Sequence, residues 1–156
     1  MTDRDYMQLA IRAAGEGIEA GQTPFGACLV LNGEVLATAH NVVWKATDIT
    51  AHAEVTAIRE ACRKTGRIDF SGATIYSTCE PCPMCFSACL WARIDRIVYG
   101  ATIADASAAG FNEIGASNEE LRAMTGRPRE LMGGVLRSEC EALFTRWRQR
   151  PGHAAY

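Results

Sequence analysis

The chain's 156 residues suffice for one domain with a buried core, and 48% apolar with 22% charged residues excludes a disordered or fibrous protein. A formal net charge of −2 lacks the basic surplus of a dedicated nucleic-acid binder, which makes nucleic acid an unlikely partner and favours a small molecule. No apolar run reaches the roughly 18 residues a membrane span needs, and the opening Met1-Thr2-Asp3-Arg4-Asp5 is too polar for a secretory leader, so a cytoplasmic protein is expected.

In chain order, Thr2 caps a predicted helix running to about Ala20, with Met7, Ile11, Ala14 and Ile18 as its apolar stripe and Gly21 as its stop. Strands are predicted at Phe25 to Leu31 and Val35 to Ala39. Asn32-Gly33 between them signals a two-residue type I′ turn, which needs positive φ twice. Thr47 to Thr50 leads into a second helix from about Ala51 to Lys64. A strand follows at Thr74 to Thr78, then a helix at Pro83 to Ala92 with proline in its first turn, then a strand at Arg96 to Tyr99. Ala101 to Met132 reads as short helices and loop. Val135 to Arg150 reads as a helix with Leu136, Cys140, Leu143, Phe144 and Trp147 on one face. This order suggests one domain spanning 1–156, a sheet covered by helices on both faces.

Two fragments carry chemistry. Thr50-Ala51-His52-Ala53-Glu54 and Cys79-Glu80-Pro81-Cys82-Pro83-Met84-Cys85 together fit H-x-E followed downstream by P-C-x-x-C, the signature of zinc nucleobase deaminases. Cys82 and Cys85 are three apart, so one helical turn points both sulfurs the same way. They also start a predicted helix, whose positive end favours thiolate, the form that binds zinc. With His52 they make three protein ligands for one Zn2+ per chain. Three ligands leave one coordination position open, which marks a catalytic rather than a structural zinc. Glu54 lies two residues beyond His52, placed to move protons without ligating the metal. A competing pattern exists: Cys79, Cys82, Cys85 and Cys89 fit the C-x2-C-x2-C-x3-C spacing of an iron–sulfur run. Against it, Leu90 stands where proline usually follows, and His52 and Glu54 would have no role.

On these residues the chain resembles the bacterial guanine deaminase branch of the cytidine-deaminase superfamily, from Pro24-Phe25-Gly26-Ala27 to the C-terminal Tyr156. The His52 fragment and Glu80-Pro81-Cys82 also resemble tRNA adenosine deaminases. Asp105-Ala106-Ser107-Ala108-Ala109-Gly110-Phe111 is more particular to guanine deaminase-like proteins. The resemblance implies a three-layer α/β/α sandwich around a five-stranded mixed sheet. It implies a homodimer, in which the C-terminal segment, about 135–156, acts as a lid or is swapped between subunits. It also implies that Asn41 hydrogen-bonds the base, that Ala53, Phe25 and Trp91 border it, that Asp105 accepts from its ring N–H groups, and that Tyr156 closes over it. Asp105 reads equally as a helix cap, and Phe25 and Trp91 equally as core. The segment Asn112 to Arg129 departs from the family pattern and leaves the exact base open.

The function expected from this resemblance is zinc-dependent hydrolysis of guanine to xanthine and ammonia. Isocytosine, cytosine, an aminotriazine or guanosine would keep the same metal centre. A tRNA adenosine deaminase would need a basic surface; Arg146, Arg148 and Arg150 read instead as a solvated helix face. A metal-stabilised binding module without turnover is the non-enzymatic alternative, and Glu54 weighs against it.

Overall fold

The structure is a computed structural model describing residues 1–156. Helix α1 spans Asp3–Glu19 and begins as the sequence predicts: the Thr2 side chain accepts from the Asp5 amide and Asp5 reciprocates, a capping box. Strands β1 (Gly26–Leu31) and β2 (Glu34–His40) form the hairpin, with Asn32 and Gly33 at φ of 52° and 80°. A short helix α2 (Val43–Ala46) precedes α3 (Ala53–Thr65). Then come β3 (Thr74–Cys79), α4 (Pro83–Trp91), β4 (Arg96–Ala101), α5 (Ile103–Ala108), α6 (Asn118–Thr125), β5 (Glu130–Met132) and α7 (Arg137–Arg148).

The five strands make one mixed sheet in the order β2-β1-β3-β4-β5. β1 runs antiparallel to both β2 and β3, whereas β3, β4 and β5 are parallel. Side chains alternate across a strand, and each face of the sheet is buried. Cys28, Val30, Tyr76 and Val98 pack under α1 and α7 with Met7, Ile18, Leu143 and Trp147. Ala27, Leu29, Ile75 and Ile97 pack under α3 and α4 with Ala57, Ala61, Phe86 and Cys89. The result is the expected three-layer α/β/α arrangement. Gly26 permits the close seating of α1: a Cβ there would meet the Ala10 carbonyl oxygen at 2.2 Å and the Ala14 nitrogen at 2.6 Å.

The parallel pair β3 and β4 positions the chemistry. Both strands end at the same edge, where β3 delivers Cys79 and the loop to α4, and β4 delivers Thr102 and α5. Two elements were not foreseen in the sequence, α2 and the three-residue edge strand β5. Arg146 and Arg150 both pair with Glu19, so they tie α7 to α1 rather than form a free basic patch. No helix is long and apolar enough to cross a membrane.

Candidate metal centre and active site

Two helix N-termini converge at the site. His52 is the N-cap of α3, at φ −65° and ψ 161°, and Cys82 is the N-cap of α4, at φ −62° and ψ 165°, with Pro83 following in the first helical position. Extended backbone at both caps turns the two side chains toward each other, and both helix dipoles present their positive ends to the sulfurs. The ligand atoms of His52, Cys82 and Cys85 lie within 4.8 Å of one another. His52 Nδ1 is 3.6 Å from Cys82 Sγ and 3.5 Å from Cys85 Sγ. A tetrahedral zinc, with bonds of about 2.3 Å to sulfur and about 2.0–2.1 Å to nitrogen, puts those atoms roughly 3.6 Å apart. The donor set and its spacing therefore fit zinc.

The two thiols are inequivalent. A hydrogen bond from Cys85, helped by His52, outweighs burial and holds the Cys82 thiol down to about 4; the same bond and burial push Cys85 well up. Cys79 and Cys89 do not join them. Cys79 is buried with its thiol directed at the Thr102 carbonyl, and Cys89 lies in the apolar layer beneath α4. Only His52, Cys82 and Cys85 assemble, so the four-cysteine cluster is not formed.

Glu54, 6% exposed, sits in the first turn of α3 and accepts a 2.9 Å hydrogen bond from Ser77 Oγ on β3. Burial first, and the negative charge of Cys82 second, push its carboxyl up from the ordinary range. A carboxylate so placed is primed to take a proton. Ala53 is buried between His52 and Glu54 as the first residue of the helix. Asn41, fully buried, accepts at Oδ1 from the Val43 amide (3.0 Å) and donates from Nδ2 to the Tyr156 hydroxyl (2.7 Å). Tyr156 stands over the centre, its ring centroid 5.4 Å from that of His52. The Trp44 indole donates to the Ala154 carbonyl at 3.1 Å, so the tail is fastened at two points. Phe25 packs edge-on to Phe111 at 4.8 Å.

These side chains enclose a space of about 20 Å3 lined by Phe25, His52, Glu54, Cys79, Glu80, Cys82, Glu113 and Tyr156. That is room for about one water, with the Tyr156 tail forming part of its wall. An open groove of about 700 Å3 lies elsewhere and holds none of the ligands.

Two expected site residues are not in the site. Asp105 does not face the cavity: its Oδ2 accepts from the Thr102 amide (2.7 Å) and hydroxyl (2.8 Å), and Arg137 pairs with Oδ1 at 2.9 Å. It is the capping-box acid of α5, so its oxygens are spent on the fold. Trp91 is 86% exposed at the end of α4 and lines the outer groove with Ile68 and Leu90. In their place stands Glu113, which sequence reasoning missed. Burial, with the Cys82 charge adding, pushes its carboxyl up to about 7. No periodicity marks it; the one signal was that it falls in the divergent segment 112–129.

Comparison with known proteins agrees with this geometry. Residues 1–101 match the family model described as the cytidine and deoxycytidylate deaminase zinc-binding region. Guanine deaminase of Bacillus subtilis (strain 168) is 43% identical over 114 residues, 72% of this chain and 73% of that one; its X-ray structure superposes with a TM-score of 0.70. The tRNA-specific adenosine deaminase of the same organism is 37% identical over 148 residues, 92% of this chain and 86% of that one. A guanine deaminase from Nitrosomonas europaea shares the fold, with a TM-score of 0.85 over 94% of this chain and 85% of that one, at 24% identity. The chain belongs to the zinc-dependent deaminases of the cytidine and deoxycytidylate deaminase family.

Proposed function

We propose that residues 1–156 work as one domain that hydrolyses guanine to xanthine and ammonia, and that the domain assembles as a homodimer. The observation that carries the substrate choice is the closure of the site by the chain's own C-terminus. Tyr156 caps the ligand cluster, so a small base admitted by displacement of the tail is sealed in when the tail returns, whereas the capped site offers a polynucleotide no open face. The 43% identity to a guanine deaminase supports the same reading.

In this mechanism His52, Cys82 and Cys85 hold the zinc, which when bound supplies a Lewis acid and a water whose pKa falls from about 15.7 toward about 7. Glu54 takes the proton of the attacking water and delivers it to the ring nitrogen beside C2. It then carries a second proton to the departing amino group, so water and guanine yield xanthine and ammonia. Burial of Glu54 favours its neutral, proton-carrying form between these transfers. Asn41 is locked by the Val43 amide, which leaves its Nδ2 donor for the base carbonyl once the Tyr156 hydroxyl moves away. Phe25 walls one side of the ring. Glu113 takes the place intended for Asp105, as acceptor for ring N–H groups.

A second reading, adenosine deamination in tRNA, is favoured by the 37% identity over 92% of the chain. Ammonia release from guanine, isocytosine, cytosine, guanosine, adenine and a tRNA anticodon stem-loop separates the two. Turnover of guanine above all others is the expected result. Activity confined to the stem-loop overturns the small-base reading, and activity on isocytosine alone moves it to a pyrimidine.

A further inference from the structure

Glu80 stands directly after β3 and two residues before Cys82 and borders the site, yet both its carboxylate oxygens are taken up by backbone amides outside the ligand cluster. Glu80 is 8% exposed, so burial demands that both oxygens be partnered. Oε2 accepts from the Ile103 amide at 3.2 Å and Oε1 from the Asn118 amide at 2.8 Å. These are the first residues of α5 and α6, whose leading amides have no partner within their own helices. The neighbouring Pro81 carbonyl accepts from Asn118 Nδ2 at 2.6 Å, and Asn118 is fully buried. Three hydrogen bonds from residues 80 and 81 thus grip both ends of one segment. Between those ends, after α5 closes at Ala109 and before Ser117 caps α6, lies the stretch carrying Phe111 and Glu113. Internally it has only local backbone bonds, such as Glu113 to Phe111 at 3.1 Å and Ala116 to Ile114 at 2.9 Å. Phe111 seats it in the core against Phe25 and Trp147, and the hydrogen bonds from residues 80 and 81 hold its two ends.

We infer that Glu80 is a positioning residue for the deamination: it clamps the segment between α5 and α6 to the metal loop, so that Glu113 faces the base. The inference rests on the reading that Glu113 contacts the substrate. Losing one carboxylate oxygen replaces an acceptor with an amide donor facing a backbone N–H, which frees one end of the segment. The loss falls on how Glu113 holds the base, so it raises KM more than it lowers kcat and leaves the ligands in place.

The test is a double-mutant cycle on kcat/KM for guanine with Glu80→Gln, Glu113→Gln and the pair, with zinc content measured for each protein. Expected is a fall of about 10- to 100-fold for Glu80→Gln, since a misplacement of about 1 Å of a substrate-positioning group can cost about 100-fold. In the Glu113→Gln background the same change costs less than about twofold, because its effect has already been removed. Zinc stays at one per chain throughout. An equal loss in both backgrounds, or loss of zinc from Glu80→Gln, overturns the positioning role while leaving Glu113 as a substrate contact. A Glu113→Gln protein with undiminished kcat/KM overturns the reading beneath it, and the positioning role with it. Should Glu80→Gln fail to fold, Asn118→Ala, which removes only the bond to Pro81, goes through the same cycle and is judged by the same outcomes.

Discussion

Glu54 is held by Ser77 and is not one of the three assembled ligands, so the proposed proton transfer can be tested apart from metal binding. Gln at position 54 keeps an oxygen for Ser77 and nearly the same volume but cannot accept and release a proton. Glu54→Gln is therefore expected to bind one zinc per chain, by elemental analysis, while turnover falls by about 100- to 10,000-fold, the range for loss of a general acid–base group. Turnover within tenfold of the parent would assign the proton step to another residue. The same scale shows what sequence could and could not give. His52, Cys82 and Cys85 were legible because a metal fixes ligand type and spacing at once. Asp105 was open to two readings because Thr-x-x-Asp is both a capping box and a place for a base-binding acid, and the fold uses it as the cap. Glu113 had no pattern to betray it, since its place in the site lining depends on the stretch between α5 and α6 returning to the metal centre.

Among the elements, length governed legibility. The helices α1, α3 and α7 run long enough for a 3.6-residue period to stand out, and Asn32-Gly33 fixed the hairpin. β5 has three residues, too few to alternate, and exists because Arg96 to Val98 offers it an edge. Sequence also showed a glycine at 26 without its reason, which is the seating of α1 on β1. The added methyl of Gly26→Ala meets backbone atoms of α1, which cannot turn aside as a side chain could. Overpacking of this kind costs about 1–3 kcal/mol, and the rigidity of the contact puts Gly26→Ala at or above the upper end. Urea unfolding should show the midpoint lowered accordingly. A change of less than about 0.5 kcal/mol, the range of an innocuous surface substitution, would mean that α1 shifts along the sheet at little cost.

Across the whole molecule, the order of the strands was beyond the sequence, because it depends on partners far apart in the chain. One tie shows how the ends are gathered. Arg96 on β4 pairs with Asp3 at 2.7 Å, at the start of α1, and with Glu130 on β5 at 2.8 Å, while the Tyr76 hydroxyl on β3 donates to Asp3 at 2.8 Å. Four elements from three regions of the chain meet on two carboxylates and one guanidinium. The Arg96 hydrogen bond, against partial burial, holds the Asp3 carboxyl below the ordinary carboxylate range. A carboxyl with a lowered folded-state pKa contributes its stability in full above the unfolded value of about 3.9 and loses it as pH falls through the folded value. Asp3 is about a third exposed, so water screens the pair and the contribution stays at or below about 1 kcal/mol. Asp3→Asn should accordingly be less stable than the parent at pH 7 by up to that amount. The gap should close as pH falls below the usual carboxylate range, because the parent's Asp3 then also becomes neutral. Urea midpoints of the two proteins at pH 7 and at successive steps below pH 4 measure this directly. A gap that persists unchanged into acid would mean that Asp3 holds α1 to the sheet by shape and neutral hydrogen bonding, with its charge contributing nothing.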